Sequence, residues 1–371
     1  MDRAEKKILI VLTVFFAFCF LENGCGSVYA AQEFTDTIEQ DFPVRSIGRF
    51  NIINYHGSVS VRAWSQDRIR VRAVRRVFAD DNESARKLLL AMGIKNYQDG
   101  ANTELVAEYG RGFDLSERLK NKQHAIFGMD ITVLAPPMLE LHVNTREGMA
   151  KIEAWKSSLE VRTSSGGIYI DGVSGERVSS TCKDCRMDIG NIRSSTLKCS
   201  SVGGGIRLSS VTGSNVYVES ASGDLRVTHI KAKQFYVSKG GRISGYDVDG
   251  EIEFYSRAGA VEFVSVAGFI TGATETGSIS LGMREWRFSD HALVESVQGD
   301  VTVTFPPDFS GIIDAWSGKG EVEVGFPLSK IESSDVNRTK EDKLVVGKVN
   351  NGSKWVKIRS KSGIVRILSG K

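Results

Sequence analysis

A glycine that recurs at a nearly fixed interval is the feature of this sequence that most constrains its fold. From residue 140 onward, two alternating apolar residues are followed five positions later by a glycine, and then by apolar residues two, four and often seven positions further on. In the stretch "LEVRTSSGGIYIDGV" these positions are held by Leu159, Val161, Gly166, Ile168, Ile170 and Val173. The glycine position can be followed through the chain at Gly57, Gly148, Gly166, Gly204, Gly223, Gly241, Gly259, Gly277, Gly299, Gly320 and Gly363. Several positions keep register together, which indicates a structural repeat.

The interval is too short for strand–helix–strand units. Gly204 and Gly223 are 19 residues apart, and Gly223 and Gly241 are 18 apart. Alternating apolar and polar residues predict short strands with one inward and one outward face, and a glycine at a fixed place suits a crowded or positive-φ turn. The sequence therefore predicts an all-β fold, a single-chain parallel β-solenoid (β-helix) with rungs of about 18–19 residues, whose inward side chains stack along the axis.

Residues 31–139 contain one early copy of the repeat and then depart from it. The stretch "RIRVRAVRRV" predicts a strand with one solvated face, and "TELVAEY" and "MDITVLAPP" predict two more strands. A helix is predicted in "NESARKLLLAMGI", with Asn82 or Ser84 as its N-cap and an apolar stripe of Leu88, Leu89 and Met92. Residues 110–126 read as a polar insertion. We expect a first rung with a small α/β elaboration that caps one solenoid end at 31–139, and the repeat region at 140–371.

The N-terminus predicts a secretory signal peptide over residues 1–30. A basic start, "MDRAEKK", precedes 14 apolar residues, "ILIVLTVFFAFCFL", and "SVYAAQ" offers small residues for cleavage after Ala30. The alternatives are a retained membrane anchor and a lipoprotein attached at Cys25, although Glu22 occupies a position where a lipoprotein signal is expected to have an apolar residue. The mature chain is therefore expected to be exported to the periplasm, the outer surface or the medium, with no transmembrane span.

Composition is ordinary for a folded protein with a substantial core. Hydrophobic residues make up 41% of the 371 residues and charged residues 25%. A net charge of +3 is too small to indicate a nucleic-acid partner. The 38 glycines against 6 prolines fit many short strands joined by glycine turns.

Cysteine usage raises one question of chemistry, in the stretch "TCKDC". After removal of the signal, Cys182, Cys185 and Cys199 remain in an oxidising compartment. Adding one repeat to the "LEVRTSSGGIYI" pattern places Cys185 at the glycine position, Cys182 in the preceding turn, and Cys199 at an inward position of the next rung. A zinc site lacks a fourth ligand and a redox dithiol lacks its helix. A Cys182–Cys185 disulfide, a Cys185–Cys199 disulfide and a fully reduced arrangement stay open.

The pattern resembles a bacterial family of unknown function, the exported β-strand-repeat domains classed by analogy as adhesins and similar to the head domains of some auto-transporter adhesins. The resemblance covers nearly all of the mature chain. It is carried by the opening "FNIINYHGSVSVRAW", by "VLAPP" before "LELHVNTREGMAKIEAW", by serial rungs such as "VRTSSGGIYI", and by the closing "WVKIRSKSGIVRI". It implies a β-repeat fold and a surface-binding role, and it brings no catalytic residue, metal or cofactor.

Two sets of side chains are candidates for contact with a partner. The first set could face an anionic partner such as lipopolysaccharide or phospholipid headgroups, and a solvated outer strand face is the alternative reading; it comprises Arg62, Arg68, Arg70, Arg72, Arg75 and Arg76. The second set is Tyr217, Tyr236 and Tyr255, which are predicted to point outward on successive rungs. They could stack against sugar rings or only pack against neighbouring side chains.

Candidate catalytic groups are weak by comparison. Parallel β-helix lyases and hydrolases use clustered outward carboxylates, and the outward positions here mix basic, acidic and small residues, with Asp188 beside Arg207 as a predicted ion pair between rungs. None of the five histidines has metal-ligand spacing. We therefore predict a non-enzymatic envelope or cell-surface binding or scaffolding protein, whose unknown ligand is a glycan, a lipid headgroup or a protein, with no cofactor. A carbohydrate-active β-helix enzyme and an envelope-stress or assembly factor that contacts membrane partners are the alternatives.

Overall fold

The structure is a computed structural model that describes residues 32–44, 47–110, 127–287, 291–330 and 343–370. The predicted signal peptide, most of the polar insertion and His124 lie outside these residues. The chain divides into two compact units, residues 1–166 and 167–371. The predicted boundaries at residues 30 and 139 stay predictions.

The first unit contains nine complete strands and one helix among its described residues. In chain order they are β1 (Gln32–Pro43), β2 (Arg49–His56), β3 (Val59–Ala63), β4 (Arg68–Ala79), α1 (Asn82–Leu90), β5 (Met92–Asp99), β6 (Asn102–Tyr109), β7 (Phe127–Ala135), β8 (Glu140–Glu147) and β9 (Met149–Glu153). A tenth strand, β10 (Leu159–Ser201), begins in this unit and continues into the second.

The strands of the first unit form parallel rungs that are continued by antiparallel strands. β2 pairs in parallel with both β8 and β6, and β3 pairs in parallel with both β9 and β7. Beyond them, β5 pairs antiparallel with β6, β4 with β7, and β1 with β4. The strands predicted at "TELVAEY" and "MDITVLAPP" are confirmed as β6 and β7.

The helix α1 begins with a different cap from the one predicted. The carboxylate of Asp81 accepts a hydrogen bond from the Ser84 amide at 2.8 Å, so Asp81 is the N-cap and the choice of Asn82 or Ser84 was wrong. An aspartate at this place satisfies a free amide of the first turn. Ala85 is the buried residue of the helix, and Met92, predicted as part of its stripe, begins β5 instead.

The second unit is a stack of parallel strands, and the predicted β-solenoid is confirmed. Beyond β10 its strands are β11 (Ile206–Ser220), β12 (Leu225–Ser238), β13 (Ile243–Ser256), β14 (Val261–Thr274), β15 (Ile279–Trp286), β16 (His291–Ser296), β17 (Val301–Phe305), β18 (Gly311–Ser317), β19 (Val322–Val324), β20 (Ser329–Lys330), β21 (Lys343–Val349), β22 (Trp355–Ser360) and β23 (Val365–Ser369). β10 to β14 pair in parallel with their successors, each one rung further along.

Inward side chains stack in columns, as the repeat predicted. One column consists of Leu208, Val227, Gly245 and Phe263, each aligned with the next on successive rungs. All four positions face the interior. Glycine at position 245 leaves room for the Phe263 ring, because a β-carbon there would come within 2.2 Å of Phe263 Cδ1. Large and small residues on neighbouring rungs thus compensate each other, which keeps the core closely packed.

The last rung of the second unit does not follow chain order. β22 lies between β16 and β18, pairing in parallel with both, and β23 lies in the same way between β17 and β19. β21 pairs antiparallel with the other edge of β18, and β20 pairs with β21. The sequence pattern, which counts rungs in chain order, did not predict this insertion.

The repeated glycines form a column in which each residue lies against the backbone of the neighbouring rung. A β-carbon on Gly223 would come within 2.1 Å of the Gly204 carbonyl oxygen, and one on Gly241 within 2.2 Å of the Gly223 carbonyl oxygen. Crowding by backbone, which cannot move aside, therefore requires glycine here. In the first unit Gly57 and Gly148 also have positive φ, at 113° and 101°.

A hydroxyl residue stands three positions before most of these glycines, and the repeat prediction missed it. In the second unit the set, which we call the hydroxyl column, is Ser201, Ser220, Ser238, Ser256, Thr274, Ser296, Ser317 and Ser360, all buried. The Gly223 amide donates to Ser220 Oγ at 2.9 Å, and Ser256 Oγ donates to the Gly259 carbonyl at 2.7 Å. These bonds satisfy backbone groups at a buried corner. A search for Ser or Thr at the third position before each glycine would have found the column.

The stretch "TCKDC" occupies one such corner. Cys182 holds the hydroxyl position and Cys185 the glycine position, and the two cysteines form a disulfide with their Cα atoms 5.9 Å apart. Of the three arrangements left open by the sequence, the structure thus has this one, with Cys199 as a free buried thiol. Burial raises the pKa of Cys199 to about 12, so this thiol stays protonated and has little nucleophilic character.

Candidate functional site

Two of the three predicted tyrosines, Tyr217 and Tyr255, lie exposed on one outward face of the second unit. Three strand segments form it, one on each of three successive rungs: 215–220 of β11, 233–238 of β12 and 251–256 of β13. Cross-strand pairing aligns Tyr217 with Phe235, and Val237 with Tyr255. Tyr217 is 43% exposed and Tyr255 37%. We call Tyr217, Phe235 and Tyr255 the aromatic diagonal, because they step across the face from one rung to the next.

Tyr236 is not part of this face, and its predicted outward orientation was wrong. The pairing of β11 with β12 loses one residue between Thr212 and Asn215, so Tyr236 aligns with inward Val218 and is fully buried. Its hydroxyl donates to the side-chain oxygen of Gln234. Burial raises the pKa of Tyr236 above its usual range, which keeps the phenol neutral and able to donate this bond.

Phe235, and not Tyr236 as predicted, occupies the outward position on β12. Its ring centroid lies 6.4 Å from that of Tyr217, and the two rings are tilted by 59°. This spacing is within the range of favourable aromatic contacts. The one-residue shortening of the rung, from 19 to 18 residues between column glycines, is the signal in the sequence that identifies Phe235.

Charged side chains flank the aromatic diagonal. Lys233 Nζ lies 3.0 Å from Glu251 Oε1 on the next rung. The Tyr255 hydroxyl donates to Glu275, and this hydrogen bond to a carboxylate raises the pKa of Tyr255. A face of apolar rings beside charged hydrogen-bonding groups can stack on one side of a planar or ring-shaped ligand and bond its polar edge.

In the first unit, the predicted strand with one solvated face is confirmed, since Arg68, Arg70 and Arg72 are exposed while Ile69 and Val71 between them are buried. Acidic side chains, however, accompany these arginines. Ion pairs join Arg68 and Arg70 to Asp41 (3.7 and 2.9 Å), Arg72 to Glu39 (3.8 Å), and Arg76 to Glu33 and Asp130 (3.0 and 2.7 Å). The hydrogen bond from Arg70 lowers the pKa of Asp41. Most of these acids lie on β1, so the face presents alternating charges to a partner and no uniform positive patch.

Arg75, which was predicted to contact an anionic partner, is buried instead. Its guanidinium donates to the carbonyls of Leu89 at 2.7 Å and Met92 at 2.8 Å, and it forms an ion pair with Asp36. The prediction failed here because it overlooked the alternation of β4, in which every odd-numbered residue from Ile69 to Ala79 is buried, so Arg75 shares the inward face with Val71 and Val77. Arg75 therefore fixes the end of α1 against β4.

A second candidate surface adjoins the arginine face. Trp64 Nε1 donates to the Arg68 carbonyl at 2.7 Å, and the guanidinium carbons of Arg68 and Arg70 lie 5.9 and 5.2 Å from the centre of the Trp64 ring. An open cleft of about 400 Å³ is lined by Asp41, Phe42, Pro43, Gln66, Asp67 and Arg68. The cations already occupy the face of the indole ring, which leaves less ring surface for a ligand than the aromatic diagonal offers.

Many ionisable groups on the described rungs form ion pairs, some within one strand and some between neighbouring rungs. Asp188 lies 3.7 Å from Arg207 on the next rung, as predicted, and 2.9 Å from Arg186. His142 contacts Glu140 and Glu160 at 2.9 and 3.1 Å. Within the residues that the structure describes, no three His, Cys, Asp or Glu side chains are grouped so as to hold a metal ion. In that same part of the chain, no helix is long and apolar enough to cross a membrane.

Comparison with known proteins identifies the family. The family described as Toastrack DUF4097 matches residues 98–368, which include nearly all of the second unit and the last part of the first. The chain belongs to the Toastrack DUF4097 family. This confirms the predicted resemblance to a β-strand-repeat family of unknown function.

Two solved structures are similar to this Toastrack chain, and neither is similar enough to transfer a function. One is a candidate cell adhesion protein from Clostridium sporogenes, with 11% identity, a TM-score of 0.21, and coverage of 90% of this chain and 100% of that chain. The other is a candidate adhesin from Bacteroides fragilis, with 14% identity, a TM-score of 0.32, and coverage of 73% and 97%. None of the curated proteins compared with this chain matches it.

Proposed function

We propose that this Toastrack chain is a non-enzymatic, exported binding protein of the bacterial envelope, and that its aromatic diagonal binds a glycan. The observation that carries the proposal is the exposure of Tyr217 and Tyr255 around Phe235 on one regular outward face. Exposed apolar groups that lie together on one face often mark a binding site. Rings beside carboxylates and a lysine suit sugars, which have apolar ring faces and hydroxyl edges.

The neighbouring charges favour a glycan over a lipid headgroup. An anionic membrane surface would be bound by a cluster of unpaired cations, whereas the arginines of the first unit are balanced by acidic residues of β1. On the aromatic face, Lys233 is likewise paired with Glu251. A neutral or weakly charged ligand fits this balance better.

The exported chain, residues 31–371, should be tested for binding to peptidoglycan sacculi, to lipopolysaccharide and to a panel of soluble polysaccharides. Replacing both exposed tyrosines, Tyr217→Ala with Tyr255→Ala, should weaken binding about tenfold or more, because each ring contributes roughly 1 kcal/mol of contact energy. Tyr246→Ala is the matched control, since Tyr246 is 53% exposed and lies on another face of the same unit.

Other outcomes would favour the alternatives. Equal loss in the control variant, or no retention on any glycan, would refute the proposed site. Release of new reducing ends or unsaturated sugars by the purified chain would support a β-helix enzyme. Retention on vesicles of anionic phospholipid, unchanged in the double variant, would support an assembly factor that contacts the membrane.

A further inference from the structure

The inserted last rung of the second unit occupies a slot whose two walls precede it in the sequence. One wall is β16 with β17, and the other is β18 with β19. Residues 306–310 connect β17 to β18 and thereby pass over one full rung spacing. Residues 291–324 therefore form both walls of the slot, and residues 355–369, which come later in the sequence, fill it.

Both walls need this rung to complete their backbone hydrogen bonding. β22 continues the ladder of β16 from Trp355 to Ser360 and that of β18 over the same residues. β23 does the same for β17 and β19. Without the rung, four strand edges would face each other across an unfilled gap, and buried unpaired amides and carbonyls are costly.

Side chains also match the rung to both of its neighbours. Ser360 Oγ donates to the Gly299 carbonyl on one side, and Ser317 Oγ donates to the Gly363 carbonyl on the other, both at 2.8 Å. Arg366 contacts Asp300 at 3.4 Å and Glu323 at 3.1 Å, which joins the two walls through one guanidinium. The slot therefore matches this segment by its side chains as well as by its length.

A single turn connects the rung to the strand before it. β21 and β22 flank opposite edges of β18, so residues 350–354 carry the chain around the end of that strand. Asn350 has a positive φ of 51°, and Asn351, Ser353 and Lys354 are exposed. Opening this turn breaks its own contacts, such as the hydrogen bond from Asn350 Nδ2 to the Phe309 carbonyl at 2.6 Å, and moves the rung as one piece while the contacts between wall residues stay the same.

We infer that the slot accepts residues 355–369 from a second copy of this chain, so that two chains can exchange their last rungs. Every contact of the rung is reproduced in the exchanged form, because the slot of each copy is the same, and only the turn changes conformation. Exchange must occur before the slot is filled. It is therefore favoured by refolding at high protein concentration, where a second copy competes with the chain's own segment.

Cross-linking between two differently marked chains tests the inference. Thr304 and Leu368 are direct neighbours across the slot, and Leu368 is 39% exposed. Chains with Thr304→Cys and chains with Leu368→Cys are unfolded together, refolded at the highest soluble concentration, and treated with a short bismaleimide. We expect a covalent heterodimer, which should be absent when the two proteins are mixed after separate folding.

A second pair of variants provides the matched control. Ser280 and Thr302 are also neighbours on adjacent rungs, but both belong to the part of the unit that does not exchange. Chains with Ser280→Cys refolded together with chains with Thr302→Cys should give no heterodimer. A heterodimer from this pair at the same yield, or none from the Thr304 and Leu368 pair at any concentration, would overturn the inference. A single chain with both Thr304→Cys and Leu368→Cys should cross-link internally, which shows that the rung is seated.

Discussion

At the scale of single residues, one corner of each rung in the second unit depends on a hydroxyl and a glycine three positions apart. The glycine is required because a neighbouring carbonyl lies where its β-carbon would be, and the hydroxyl bonds the backbone that turns there. The disulfide between Cys182 and Cys185 joins the same two positions covalently. A chemical motif in the sequence thus serves the same structural role as a Ser–Gly pair.

Restoring that Ser–Gly pair should replace most of what the disulfide contributes at this corner. We expect Cys182→Ser with Cys185→Gly to be more stable than Cys182→Ala with Cys185→Gly by about 1 kcal/mol, the worth of one buried hydrogen bond. The comparison keeps residue 185 constant and changes only the hydroxyl. Urea denaturation measures the difference, and equal midpoints and slopes for the two variants would contradict the assigned role of position 182.

The glycine column should be far less tolerant than other glycines nearby. Gly223→Ala places a β-carbon 2.1 Å from the Gly204 carbonyl oxygen, whereas the nearest atom to a β-carbon on Gly240 is 3.4 Å away. We expect Gly223→Ala to lower the free energy of unfolding by about 3 kcal/mol and Gly240→Ala to change it by less than about 0.5 kcal/mol. Thermal denaturation of both variants beside the unmodified chain checks this, and similar melting temperatures for the two variants would count against crowding as the cause.

At the scale of elements, the two faces of the arginine-rich strand β4 have different roles. Its outward face carries arginines that pair with acids of β1, while Arg75 on its inward face donates to the carbonyls of Leu89 in α1 and Met92 in β5. The acids were visible in "QEFTDTIEQDFP", but nothing in the sequence says that β1 pairs with β4. The alternation that places Arg68, Arg70 and Arg72 outward also places Arg75 inward, so its burial was predictable from the sequence, whereas its hydrogen-bond partners were not.

Replacing these arginines should therefore have unequal effects. Arg75→Ala leaves the partly buried Asp36 without its cation and the carbonyls of Leu89 and Met92 without their donor, so we expect a loss of about 3 kcal/mol in the first unit. Arg72→Ala removes an exposed pair with Glu39 and should cost less than about 1 kcal/mol. Hydrogen exchange followed by mass spectrometry should show faster exchange in α1 and β1 only for the first variant. Equal exchange in both variants would mean that Arg75 is no anchor.

At the scale of the whole molecule, the rung period, the inward columns and the glycine column were predictable, because each is written locally in every copy of the repeat. The order of the rungs was not. The last copy has the same pattern as the others, so a local pattern does not say which copies become neighbours. Tyr236 failed for a related reason, since a single residue lost between rungs reverses inward and outward positions beyond it.

The position of the last rung inside the second unit makes a prediction about how this unit opens. Val356 is fully buried on β22, and Lys357 beside it is exposed. Val356→Asp should speed hydrogen exchange in β16 and β17 as well as in β18 and β19, because the damaged rung lies between them, while Lys357→Gln should leave exchange nearly unchanged. Faster exchange confined to β22 and β23 would indicate an end that frays independently of its neighbours.

The hydroxyl–glycine corner also has a consequence for how such a chain can change length. Between Gly277 and Gly299 the repeat gains extra residues, and they fall between β15 and β16, away from the corner that both rungs preserve. Duplicating a whole rung, or adding residues between one corner and the next, keeps the three-position spacing within each corner, whereas a one-residue change within a corner disrupts it. Each rung therefore has a corner whose residue spacing is fixed and a remainder whose length can vary. Evolution or a protein engineer could insert a new recognition loop in the variable part.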